Sequence, residues 1–70
     1  MSKTVYTFVM QKTDHGWRPD QDVRQSTTED LWMFPESDTQ YMLSYIDMET
    51  AMKARQLKED LYQTKLNNKL

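Results

Sequence analysis

Residues 4–12 read "TVYTFVMQK", a run dense in β-branched and aromatic side chains that contains neither glycine nor proline. That composition suits a pleated, half-buried surface and predicts a strand. Successive strand side chains alternate, which sends Tyr6, Phe8 and Met10 one way and Val5, Thr7 and Val9 the other. Both rows carry apolar groups, and such a strand is central in its sheet or covered on both sides. The remainder of the chain has to supply its neighbours.

Immediately downstream, "TDHG" reads as a turn, with Gly16, the only glycine, free to take a positive φ. Pro19 cannot donate to a ladder, so anything after it is at best a short edge strand. The stretch "PDQDVRQSTT" has Val23 as its one apolar anchor, and residues 13–28 therefore read as a loop. The next run, "EDLWMF" at 29–34, admits two forms. As a helix, Ser26 is the cap, Glu29 closes a capping box and Pro35 ends the element. As a strand, it pairs with "TQYMLSYID" across the turn residues "PESD". A hairpin over 29–47 is the preferred reading, because the second run, with Tyr41, Leu43 and Tyr45 on one face, is itself a strand in need of a neighbour.

From Met48 to Leu66 the apolar period becomes helical. Asp47 suits the N-cap, Glu49 suits the positive helix start, and no glycine or proline interrupts. Ala54, Leu57 and Leu61 fall on one stripe with Ala51 and Tyr62 beside it, and "NNKL" at 67–70 should fray. The expected architecture is an α+β single domain: a small antiparallel sheet of about three strands with one C-terminal helix packed on one face.

The chain has 70 residues, 37% of them apolar, and leans on six Met, four Tyr and two Trp more than on aliphatics. A domain this small has a thin core and usually needs a staple. With no Cys and a single His, neither a disulfide nor a structural zinc site can serve, which leaves self-association or a bound partner, and a homodimer is expected. The first residues lack the apolar run of a signal peptide, no stretch approaches a membrane span, and the composition points to the cytoplasm.

Catalytic chemistry finds little to work with. His15 stands in a turn, no serine sits in a glycine-rich elbow, and the carboxylate pairs Asp20/Asp22 and Glu29/Asp30 lie on polar chain where nothing shields them. "DQDVRQ" starts like a calcium loop but has Arg24 at the fifth position and Leu31 at the twelfth. No metal, cofactor or enzymatic activity is implied.

Two binding chemistries remain. Residues 14–49 hold nine acids against two bases, whereas residues 51–70 hold five bases against two acids. Mutual neutralisation within the fold accounts for such a split, and so do two faces of opposite sign that steer a charged partner. Arg55, Lys58, Tyr62, Lys65 and Lys69 recur at helical spacing, a basic ridge with an interleaved aromatic of the kind that grips phosphates and stacks a base. Their stems can equally snorkel along the apolar border, and the overall pI near 5.2 argues against nucleic acid. Trp17, Arg18, Trp32, Met33 and Phe34 are the residue types enriched at protein-binding hot spots. The preferred expectation is a small non-enzymatic regulator or inhibitor that binds a larger protein, of the sort common among phage and mobile-element accessory proteins. Nucleic-acid binding through the helix ridge is the alternative.

Overall fold

A computed structural model describes residues 3–68. β1 (Thr4–Thr13) is the strand to which every other strand pairs. β2 (Gly16–Pro19) returns from it in a hairpin, with Thr13 opposite Gly16 and Met10 opposite Pro19. The turn closes because Gly16 takes φ 120°, a value open to glycine, while the Thr13 hydroxyl donates to the Gly16 carbonyl at 2.9 Å. β3 (Arg24–Thr27) continues along the same edge of β1, pairing Thr4 with Thr27 and Thr7 with Arg24. Between them the Asp20 amide still donates to the Val9 carbonyl at 2.8 Å, so β2 and β3 are two pieces of one interrupted edge.

β4 (Gln40–Tyr45) lies on the other edge, from Gln11 opposite Gln40 to Tyr6 opposite Tyr45. Both β3 and β4 run antiparallel to β1 and hence parallel to each other, so the chain must cross over between them. The crossover begins with α1 (Thr28–Met33), capped by a reciprocal box in which the Thr27 hydroxyl accepts from the Asp30 amide and the Asp30 carboxylate accepts from the Thr27 amide. After Phe34, a tight turn through Ser37 and Gln40 enters β4. α2 (Met48–Asn68) then folds back over the sheet, its Asp47 cap accepting from the Thr50 amide at 2.7 Å and hydroxyl at 2.9 Å.

The α+β class and the C-terminal helix are as expected, and the sheet has four strands in three positions. Three expectations need correction. Residues 13–28 are not all loop: two short strands lie within them, paired by their backbones to β1, with Trp17 and Pro19 of β2 also packed inward. Residues 29–47 are not a hairpin: the first half is α1, and β4 pairs with β1 instead. The capping signal that identifies α1 sits one residue later than the Ser26/Glu29 pair, at Thr27 and Asp30. The third concerns the buried stripe of α2, which runs through Ala51 and Tyr62, leaving Leu57 at 61% and Leu61 at 52% exposure. The helix itself extends two residues beyond its expected end at 66, to Asn68; Lys69 and Leu70 of the anticipated frayed tail lie outside the described residues.

The core is Val5, Phe8, Val9, Met10, Ala51 and Tyr62. Phe8 and Met10 belong to one row of β1 and Val5 and Val9 to the other, so both faces of the central strand are covered and neither is left bare. Buried Thr7 hydrogen-bonds Ser26 at 2.9 Å, which satisfies the hydroxyl that β1 carries inside. The molecule is a slab of 49 × 26 × 12 Å with a radius of gyration of 13.0 Å. Size scaling gives about 11 Å for a chain of this length. So flat a body cannot hide all of its large apolar side chains. Among the described residues, no helix is long and apolar enough to cross a membrane.

Candidate functional site

The residues singled out for protein contact separate into a projecting knob and a cleft. α1 is short and touches only β3 among the other elements to any extent. Leu31 and Phe34 are half-buried and hold it down. Trp32 and Met33 point away, at 84% and 81% exposure. Exposed acids surround this pair along the chain: Glu29 and Asp30 before it, Glu36 and Asp38 after it. The result is an apolar knob with carboxylates before and after it in the chain. Two further exposed apolar residues, Ile46 and Met48, follow β4 at the end of the sheet where α1 also starts, since Tyr45 pairs with Tyr6 and Thr27 with Thr4.

Trp17, by contrast, is half-buried. The pairings of Lys12 with Trp17 and Met10 with Tyr41 place Trp17 and Tyr41 on the row of the sheet that carries Met10. Their rings meet edge-to-face above it, centroids 4.8 Å apart at 61°. Opposite them α2 contributes Lys58, Leu61, Tyr62 and Lys65, and the turn contributes His15, enclosing a cleft of about 270 Å³. The lining holds two lysines and a histidine and no carboxylate. Trp17 is therefore the floor of a site rather than a projecting contact.

Arg18 and Tyr62 carry out a different task. Arg18 makes two hydrogen bonds to Glu59, at 3.2 Å from Nε and 3.0 Å from Nη2, and its guanidinium lies 5.3 Å from the Tyr62 ring centroid. Bonding to Glu59 raises the Arg18 pKa above its ordinary value. Burial pushes the Glu59 carboxyl up, but hydrogen bonds from Arg18 and Gln63 outweigh it and the net shift is downward. This pair fastens α2 to β2. Tyr62 is buried, with its hydroxyl 3.4 Å from that of Thr13, so its ring is closed to a stacking base.

On the helix ridge, Arg55 donates to the Gln21 carbonyl at 2.7 Å and lies 3.8 Å from Asp22. Lys58 is half-buried beside the cleft, Lys65 is exposed, and Lys69 lies outside the described residues. The structure thus brings together Trp17, Lys58, Tyr62 and Lys65, and leaves Trp32 and Met33 apart from them. Sequence reasoning did not single out Tyr41 or Leu61 as site residues. The signal for Tyr41 was its place in a strand row with Leu43 and Tyr45, but only the register against β1 sets it across from Trp17. Among the described residues no group of His, Cys, Asp or Glu is arranged to hold a metal ion. Compared with protein families, curated proteins and solved structures, the chain matches none.

Proposed function

We propose that this protein is a small non-enzymatic binding module that regulates a larger protein in the cytoplasm, with α1 as the contact. The observation that carries the reading is the exposure of Trp32 and Met33 on a helix held by its own capping box. A tryptophan gives up more apolar area than any other side chain when it enters a pocket, and its few rotatable bonds make ordering it inexpensive in entropy. With acids on either side of it in the chain, it suits a partner pocket that is apolar inside and basic in its surroundings. The thin, flat shape agrees, because a chain that cannot cover such residues itself gains by covering them on another protein.

Nucleic-acid binding through the helix ridge has less support. With Tyr62 buried and Arg55 engaged, the ridge offers two flanking lysines and no stacking ring of its own. The deciding experiment compares wild-type and Trp32→Ala protein as baits in a lysate of the source cell. A partner retained only by wild type is then purified and titrated against both. Loss of at least about thirtyfold in affinity, with an unchanged circular-dichroism spectrum, supports the reading. Equal affinity of the two forms for every retained protein defeats it.

A further inference from the structure

The alternation of hydrogen bonds in the sheet identifies which of its backbone groups are left over. In an antiparallel pair, opposite residues exchange both bonds or neither, turn by turn along the strands. Between β1 and β4 the Lys12 amide donates to the Thr39 carbonyl at 2.8 Å, so Tyr41, Leu43 and Tyr45 are the β4 residues bonded inward to β1. The amides and carbonyls of Gln40, Met42 and Ser44 point away from it. Gln40 is engaged there, its carbonyl accepting from the Ser37 amide at 3.0 Å. Among the described residues, Met42, Ser44 and the following Ile46 have no backbone partner on that side, and no strand lies beyond β4.

The opposite edge is closed to pairing. There the bonds from Asp20 to Val9 and from Thr28 to Lys3 set the alternation, and they turn Pro19 and Thr27 outward. Pro19 has no amide hydrogen to offer, and the Thr27 amide is already donated to the Asp30 carboxylate at 3.0 Å. Arg24 adds a charge, and the break between β2 and β3 interrupts the row. These are the means by which a sheet edge is kept from joining another chain. β4 has none of them: from Thr39 to Ile46 the chain carries no charge, no proline and no glycine. Ile46 stands 86% exposed at its end.

We infer that β4 pairs antiparallel with β4 of a second copy, joining the two sheets into one. Charge and register commit the edge to its own kind. The segment is neutral, so it meets its copy without like charges in contact, and it offers a charged strand nothing. A two-fold axis at Ser44 is centred on the open stretch. It sets Ser44 opposite Ser44 and Met42 opposite Ile46, so the leftover donors and acceptors of each chain meet those of the other. Ile46 thereby gains an apolar cross-strand neighbour, and the flanking Asp38 and Asp47 do not oppose each other. The pair is closed, because each copy uses its single open edge. The contact spans few residues on each side and falls short of the ~1,000 Å² of a stable interface, so the dimer is weak and forms at high protein concentration. Neither Trp32 nor the cleft takes part, and the inference is independent of the proposed function.

Sedimentation velocity over a concentration series tests this with wild type, Ser44→Pro, Ser44→Lys and Ser44→Glu. Ser44 is exposed and its amide bonds to nothing within the chain, so all three variants should keep the wild-type circular-dichroism spectrum. Proline removes the donor at the axis, and lysine or glutamate sets like charges directly across it. Each variant alone should dimerise at least about fivefold more weakly than wild type. An equimolar mixture of the lysine and glutamate variants should dimerise at least as well as wild type, since the axis brings position 44 to position 44. Amide exchange should slow at Met42 and Ser44 as concentration rises, whereas Leu43 and Tyr45 are slow throughout because β1 already holds them. Should the proline variant fail to fold, the two charge variants and the exchange pattern still decide. A wild type that is monomeric up to about 1 mM overturns the proposal. So do charge variants that dimerise unchanged, or a mixture no stronger than its parts. Trp32→Ala should dimerise as wild type does, and its failure to do so would move the contact to α1.

Discussion

Two short apolar runs, Tyr6–Met10 and Leu31–Phe34, each carry a phenylalanine and a methionine and differ sharply in burial. In the first, Phe8 is fully buried and Met10 is 2% exposed; in the second, Trp32 and Met33 are more than four-fifths exposed. Hydrophobicity does not distinguish them. What differs is the backbone. β1 has its amides and carbonyls paired along both edges, and strands on either side bring their own side chains over its faces. α1 is capped by its own box, takes one outside bond from the Thr28 amide to the Lys3 carbonyl, and meets β3 more than any other element. Burial follows from the partners that hydrogen bonding recruits, and a short segment that recruits few of them can stay on the surface with its apolar groups unclaimed.

The contrast breaks most readily at Phe8. Phe8→Ala removes a fully buried ring and should cost about 3–5 kcal/mol, against roughly 4–10 kcal/mol of total stability for a chain of this size. Urea titration should show a protein largely unfolded or close to it; a midpoint near that of wild type would mean that the two runs are energetically alike after all. Thr27→Ala should cost less, about 1 kcal/mol, by leaving the Asp30 amide without its acceptor. Hydrogen exchange should accelerate in residues 28–33 and not in β1, and uniform acceleration would show that α1 is coupled to the core.

Acid sharpens the comparison at the helix. Glu59 and Asp47 both titrate below their ordinary values of 4.5 and 3.8, Glu59 because hydrogen bonds from Arg18 and Gln63 overcome its burial and Asp47 because of its bonds from Thr50. A carboxyl whose folded pKa is depressed contributes stability above its unfolded value, and that contribution disappears as pH falls through the folded one. Thermal stability should therefore decline from about pH 4.5 downward, and less steeply in Glu59→Gln. The difference should be smaller than that for Thr27→Ala, because Arg18 is half in solvent and screened. An identical pH profile for the two proteins would remove Glu59 as a clasp. The smallest effect belongs to Trp32→Ala, which should alter stability by no more than about 0.5 kcal/mol. A larger loss would place Trp32 in the core.

How much of this could be read in advance depends on what each element rests on. β1 and α2 are dictated by local pattern, and their starts at Thr4 and Met48 were legible. β4 was legible as a strand but not in its pairing, since nothing in its own residues says whether β1 or residues 29–34 lies beside it. β2 and β3 were missed because "GWRP" ends on a proline that argues against a strand, "RQST" carries no apolar residue, and both pair with a neighbour chosen by tertiary structure. The orientation of α2 was misjudged for a related reason: the helix faces inward with Tyr62 and Ala51, an orientation in which Arg18 reaches Glu59 and Arg55 reaches Gln21 and which its own apolar spacing does not specify. Of the site, the residue types were visible and their division into a knob and a cleft was not.

Every strand bonds to β1 and none to another strand. The sheet is thus a star and has no outer part that could persist once its centre is removed. β1 also precedes all its partners in the chain, so a ribosome delivers it before anything that can shield it, and the last buried contact it awaits, Tyr62, comes some fifty residues after Thr13. The most aggregation-prone segment of the molecule is consequently the one left waiting longest during synthesis.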